Sequence, residues 1–154
     1  MVNRTSDFTR PRSAWAAFVL SVLGLLVSVY LTYEHFTGST TLACSDSGAV
    51  NCLKVTTSSF AVIAGVPVAV AGLAYFVGMA VLCAPTQYTE GLSTIRVVGA
   101  AIGTAMVLWL IYVEIFEVAA ICLWCTGVHL ITLLLLGAVL WWRSAERAAL
   151  GDAD

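Results

Sequence analysis

The chain has 154 residues, of which 60% are hydrophobic and 10% charged, with a net charge of −2. Soluble domains carry about 25% charged residues, so this composition excludes an ordinary water-soluble globule and points to the lipid bilayer as the surroundings. The slight negative charge and the absence of a basic stripe exclude a nucleic-acid partner.

Residues 1–12 form a polar tail carrying Arg4, Arg10 and Arg12. Four charge-free stretches follow, at residues 13–33, 55–89, 97–113 and 118–142. A spanning helix needs about 20 mainly apolar residues. Three stretches satisfy that outright, and the third does so if Arg96 and Glu114 sit at the two interfaces. The first run is too long for the apolar part of a cleaved signal and has no clear cleavage site, so it reads as a retained helix over about 14–36. Residues 37–57 are rich in Gly, Ser and Thr (Thr37-Gly-Ser-Thr-Thr, Ser45-Asp-Ser-Gly), which favours a mobile loop. Thr56-Thr-Ser-Ser59 offers an N-cap for a second helix over about 60–83, followed by Pro85. Pro67 predicts a kink or broken turn near Gly65-Val-Pro67. The third and fourth helices are expected over about 95–116 and 120–142, with Trp141-Trp142-Arg143 as an interfacial anchor. Gly99 with Gly103, and Gly65 with Ala69, mark faces for close helix packing inside the bundle. The expected fold is all-α and integral to the membrane. It is one domain over 1–154: a four-transmembrane-helix bundle with a cysteine-bearing outer loop between helices 1 and 2.

Six of the seven Lys and Arg residues fall on the side of the termini in this arrangement, and only Lys54 on the other. That bias places both termini in the cytoplasm of a cell whose inner (plasma) membrane the chain crosses. Residues 37–57 and the link near Glu117 then face the periplasm or its equivalent, where disulfides persist.

The chemistry lies in the cysteines. Cys122-Leu-Trp-Cys125 opens the last helix, where the dipole and free N–H groups stabilise a thiolate. Three residues apart on a helix, the two share a face at a separation that suits a disulfide. Cys122 lies about 4.5 Å nearer the outer water along the axis. It would therefore exchange with another thiol, while the deeper Cys125 meets a lipid-soluble acceptor of two electrons and two protons, a quinone. Cys44 and Cys52 enclose a flexible segment containing Gly48. One of them can meet a soluble partner while the other reaches Cys122, since exchange requires a thiolate to approach a sulfur in line. Cys83 falls near the cytoplasmic face, about a membrane thickness away, and reads as a small apolar residue.

Two other readings fit four outward cysteines. A zinc site conflicts with an oxidising compartment, so no metal is expected. A non-catalytic tetraspan protein stapled by disulfides is the other, but a C-x-x-C bridge closes too short a loop to stabilise much. Glu114 and Glu117, three apart, read as solvated interface residues more readily than as a proton relay to quinone. Tyr30, Tyr33 and Tyr112 read as interface anchors.

Cys44 with Cys52 eight residues on, Ser58 six after that, and Cys122-x-x-Cys125 opening the last helix together resemble the vitamin K epoxide reductase family in its small bacterial form. The resemblance covers about residues 14–142. The DsbB family also pairs outer cysteines with a quinone, but carries its C-x-x-C in the first outer loop, the reverse of the order here. The resemblance implies a four-helix bundle around a quinone pocket capped by the first outer loop. It implies an active-site pair Cys122–Cys125, with Cys125 addressing the quinone. In the loop pair, Cys44 would face a separate DsbA- or thioredoxin-like protein, with no such domain fused to the chain, and Cys52 would pass electrons to Cys122. Ser58 matches a polar position that steadies the site. His129 stands where some members place a quinone-holding tyrosine, and it could donate to a quinone carbonyl. Trp124, Phe60 and Ile63 are further candidates for the pocket wall. The implied activity is oxidation of a dithiol partner at the expense of menaquinone, ubiquinone or a vitamin K-type quinone, supporting disulfide formation. The same machinery could serve a vitamin K epoxide or quinone reductase proper.

Overall fold

The computed structural model describes residues 12–38, 44, 46–84 and 92–151. The tail with Arg4 and Arg10, residues 39–43 and 45 of the first loop, and Pro85 lie outside the described residues. Helix α1 (Arg12–Thr37) leads into a hairpin of β1 (Asp46–Ser47) and β2 (Val50–Asn51), then a short helix α2 (Cys52–Thr56). A 3-10 turn (Ser59–Ala61) and a second hairpin, β3 (Val62–Ile63) with β4 (Val66–Pro67), precede α3 (Val68–Leu82). Helix α4 (Leu92–Tyr112) runs into a π-helical turn (Val113–Val118), and α5 (Leu123–Gly151) closes the bundle.

Among the described residues, three helical segments are long and apolar enough to cross a membrane: Arg12–Thr37, Leu92–Val118 and Leu123–Ala148. The protein is therefore a mostly helical, multi-pass membrane protein. The expected second spanning helix is different. It is helical only over Val68–Leu82, about 22 Å at 1.5 Å per residue. Pro67 does not kink a longer helix but stands before its first residue, where the missing N–H has no helical carbonyl to lose. The preceding Ala64 and Gly65 both have positive φ, 50° and 82°, as a two-residue turn with both central residues left-handed requires. Gly65 is thus a turn residue rather than a packing contact, and nothing lies within 4 Å of where its Cβ would be.

The first loop also departs from expectation. It is ordered rather than mobile across Asp46–Asn51, where Gly48 (φ 77°) makes the tight turn of the first hairpin. The Thr-Ser run does not cap a helix start. Thr56 and Thr57 bond back to the carbonyls of Cys52 and Leu53 and end α2, whose N-cap is Asn51, accepting from the Lys54 N–H at 2.9 Å. At the far end α5 continues to Gly151, well past the expected stop.

The bundle is polar-small inside and apolar outside. Helix α1 buries Ala17, Ser21, Gly24 and Ser28, a stripe at alternating four- and three-residue steps. Val19, Leu23, Leu26 and Val29 face outward. Lipid offers no hydrophobic reward for burying leucine, so close packing of small residues holds such helices together. Gly24 receives the ring of Phe76. Gly103 receives that of Tyr75, and a Cβ added to Gly99 would meet the Met79 sulfur at 3.0 Å, so both glycines of that pair face α3 within the chain. At the end remote from the first loop, Arg96 is buried rather than interfacial. Its Nε donates to the Leu82 carbonyl at 2.8 Å, its guanidinium lies 3.9 Å above Trp142, and Glu146 is 3.6 Å away. Trp142 is accordingly a core residue, and only Trp141 of that pair is exposed. Cys83 is fully buried near the same end, in the core with Phe76 and Met79.

Gly24→Ala should place a methyl against the Phe76 ring and lower stability by about 1–3 kcal/mol. Gly78→Ala, in open space on α3, should be neutral or stabilising by up to about 1 kcal/mol. Thermal unfolding of the two variants in the same detergent checks the contrast.

Candidate functional site

The site lies where the first loop meets the start of α5. Strand β2 pairs in parallel with Ile121, the residue before Cys122. The Asn51 N–H donates to the Ile121 carbonyl at 3.0 Å, and the Ile121 N–H to the Ala49 carbonyl at 2.8 Å. Adjacent strands sit about 4.8 Å apart, so this ladder brings the start of α2, whose first residue is Cys52, to the end of the bundle where Cys122 precedes α5. Cys52 and Cys122 are both fully buried, at 1% and 0% exposure. Cys122, expected nearer the water, is covered by this docked loop. Cys44 and Cys52 are joined in a disulfide, with Cα atoms 6.0 Å apart. Cys122 and Cys125 are both free thiols.

The turn before α5 is shaped by the π-helical stretch. There the wider i→i+5 turn breaks the ordinary helical spacing. Ala119 then adopts a left-handed conformation (φ 50°), and the Ala120 N–H bonds back to the Glu114 carbonyl at 3.1 Å. The expected common face of Glu114 and Glu117 therefore does not form. Glu117 is exposed, whereas Glu114 is buried at 6% exposure. The Glu114 carboxyl lies in hydrogen-bonding contact with the Cys125 thiol and the Cys122 backbone N–H. The Cys125 thiol also donates to the Cys122 sulfur, which the Cys125 N–H approaches at 3.3 Å. These contacts, the Cys125 S–H first and then the N–H groups at the helix start, hold Cys122 below the ordinary thiol range.

Beneath the loop is a cavity of about 370 Å³. It is walled by α1, α3, α4 and α5 and roofed by Val55, Thr56, Ser58, Phe60 and Ala61. Cys125, His129 and Thr132 line it from successive turns of α5, and Glu114 from the π turn. The wall is otherwise largely apolar. A smaller, more polar cavity of about 230 Å³ adjoins it, lined by Glu34 and Thr57 and sharing His35, Thr56 and Ser58 with it.

Of the residues singled out from the sequence, the structure gathers Cys125, His129, Ser58 and Phe60 around the large cavity, with Cys52 and Cys122 under the loop. The Ser58 hydroxyl donates to the Val55 carbonyl at 2.8 Å, which fixes the roof. Trp124 and Ile63 are not brought to the cavity wall. Trp124 points away from Cys125 on α5 and packs on Tyr30 at 4.8 Å, so Tyr30 is a partner of the C-x-x-C segment rather than an anchor alone. Ile63 sits in the second hairpin, 38% exposed. Tyr33 and Tyr112 are exposed. Sequence reasoning passed over Tyr75, whose buried hydroxyl has no hydrogen-bond partner and whose side chain lines the cavity. It also discounted Glu114, whose burial depends on a π turn that three-residue spacing cannot show. Among the described residues no cluster of three or more His, Cys, Asp or Glu could hold a metal.

Apolar helices, a dithiol at a helix N-terminus and a mainly apolar cavity behind it are the parts of a membrane oxidoreductase. The sequence profile of the vitamin K epoxide reductase family matches residues 15–140, and the chain belongs to that family. No curated protein matches the chain.

In protein with the Cys44–Cys52 bond intact and the other thiols reduced, an ultraviolet thiolate titration should show a step below the free-cysteine value of about 8.5. Replacing Cys125 with alanine removes the main donor to Cys122, and that step should move to higher pH.

Proposed function

We propose that the protein oxidises a separate DsbA- or thioredoxin-like dithiol protein and passes the electrons to a membrane quinone, supporting disulfide formation. The observation that supports this reading is the β2–Ile121 ladder, which docks the loop carrying the Cys44–Cys52 disulfide against the residue that precedes Cys122. A reduced partner thiolate attacks Cys44, the half-buried member of the loop pair, and releases Cys52. The partner's second thiolate attacks its own bonded sulfur, so the partner leaves as a disulfide and Cys44 is freed. Cys52 attacks Cys122 in its bond to Cys125, freeing Cys125, and Cys44 then attacks Cys52, which re-forms the loop disulfide and releases Cys122. The pair Cys122/Cys125 is left reduced and the loop pair oxidised, the distribution described above.

The large cavity supports the quinone step. It has the size and apolar character of a small-molecule pocket, with polar groups gathered near the dithiol. His129, one turn beyond Cys125, would donate to a carbonyl of the ring, and Ser58 and Phe60 would close the roof over it. The apolar wall excludes water, so reducing equivalents do not leak to other acceptors. The apolar wall suits a quinone of the menaquinone, ubiquinone or vitamin K type alike.

In the membrane we place the cysteine end outward and both termini in the cytoplasm, in keeping with the arginines at the opposite end. The short helix α3 and the turns before it would together make the fourth crossing, their irregular backbone sheltered by the roof of the cavity.

The test is trapping. With Cys44, Cys83 and Cys125 replaced by alanine, mild oxidation should join Cys52 to Cys122 within one chain, as seen by mass spectrometry of the digested protein. No cross-link would mean the two sulfurs do not meet. In the otherwise native chain, Cys125→Ala should abolish quinone-dependent oxidation of a reduced thioredoxin-like protein. Full activity there would rule out the relay.

A further inference from the structure

Cys125 carries one thiol proton and has two acceptors within reach, the Cys122 sulfur and the Glu114 carboxyl. Glu114 is buried at 6% exposure inside a mostly apolar wall. A buried carboxyl in such a place is costly unless it serves something. Its position also depends on an uncommon element. The π turn of Val113–Val118 carries it, and π turns recur at functional sites. The Cys122 backbone N–H holds the carboxyl, and the same group lines the large cavity. One side chain thus touches a reacting sulfur, the start of α5 and the space proposed for the quinone.

We propose that Glu114 is the catalytic base that takes the Cys125 proton as the dithiol is oxidised, and that it delivers this proton to the quinone oxygen. The inference rests on the relay proposed above. In the overall step two S–H bonds break and one S–S bond forms between Cys122 and Cys125. The two electrons reduce the quinone to a quinol, and two protons convert its oxygens to hydroxyls. The Cys125 proton travels through Glu114. Cys122 enters as a thiolate, and the second proton comes from water in place of the one Cys122 has already lost. A proton handed over within the dry pocket leaves no separated charge there, which a low-dielectric site would penalise.

Purified full-length protein, reduced with dithiothreitol and mixed with a one-isoprene ubiquinone, gives the single-turnover rate of quinone reduction. Glu114→Gln keeps the shape and hydrogen bonds but not the base, and should slow this step roughly 100-fold or more. Glu114→Asp should recover part of the loss, and Glu117→Gln should behave as the native chain. The native rate should fall as the pH drops and the carboxyl takes a proton. The other titratable groups lining the pocket are Cys125 and His129 on α5, His35 on α1 and Tyr75 on α3, with Cys122 at the start of α5 next to the Glu114 carboxyl. The acid limb should lose the Glu114 step and keep only that of Cys122 in Glu114→Gln, and stay whole in His129→Gln. A Glu114→Gln rate within a few-fold of native, with its acid limb intact, overturns the proposal and leaves the relay standing, provided Cys125→Ala is inactive. If Glu114→Gln cannot hold the Cys44–Cys52 bond, the native and His129→Gln profiles decide, and an acid limb missing from both overturns the role. A native protein that reduces no quinone at all overturns the relay and this role together.

Discussion

Two backbone hydrogen bonds between β2 and Ile121 are the constraint on which the site depends. Near the membrane boundary an unpaired N–H or carbonyl is expensive, so a loop that crosses the end of a bundle must find partners there. The first loop finds them in the one extended residue between the π turn and α5. Pairing there docks the loop against the residue before Cys122 and lays α2 and the 3-10 turn across the mouth of the cavity. The Cys44–Cys52 bond ties the free end of the hairpin back to the same place. A loop held only by its disulfide would have no fixed register with Cys122. A one-residue slip would turn the alternating side chains to opposite faces.

The helices can support this cap because small residues on one helix admit large side chains of the next, as Gly24 admits Phe76. Small residues line the seams, and two of the close contacts are a ring filling the space above a glycine. Such seams leave bulky apolar side chains free to face lipid, and they leave a large cavity between α1, α3, α4 and α5. At the other end Arg96 joins three helices through the Leu82 carbonyl, the Trp142 ring and Glu146. The bundle is therefore pinned by directional polar contacts at both ends and by close apolar contact between them. A pocket can open in the middle without loosening the ends.

Much of this was legible in the sequence for physical reasons. Composition and charge-free runs report the bilayer because few other solvents tolerate them, and the order of the cysteine pairs was specific enough to indicate the family. The close contacts of Gly99 and Gly103 followed from their spacing. What was not legible depends on local departures from regular geometry. Pro67 permits either a kink or a start, and only the turn at Ala64-Gly65 decides between them. The docked hairpin cannot be read from Gly48 alone, since a glycine serves a loose loop and a tight turn equally well. Glu114 and Glu117 look equivalent on an α-helical wheel, and the π turn separates them into a buried and an exposed carboxyl. Trp124 sits inside the C-x-x-C but points to Tyr30, because adjacent helical residues do not share a face.

The unequal burial of the cysteines bears on the proposed direction of transfer. Cys44 is half-buried, while Cys52 and Cys122 are closed to solvent. Thiol-disulfide exchange needs access to the attacked sulfur as much as it needs a thiolate. Cys125 is half-buried too, but on the cavity wall, so a soluble dithiol would meet the loop pair at Cys44 and would not reach Cys122 directly. The lowered pKa of Cys122 would be wasted on such an outside thiol, but it suits a sulfur that must close back onto Cys125 once electrons leave. Cover, rather than intrinsic reactivity, would thus make the relay run through the loop. A chain that exposed Cys122 would gain a faster route for stray thiols and lose its choice of partner.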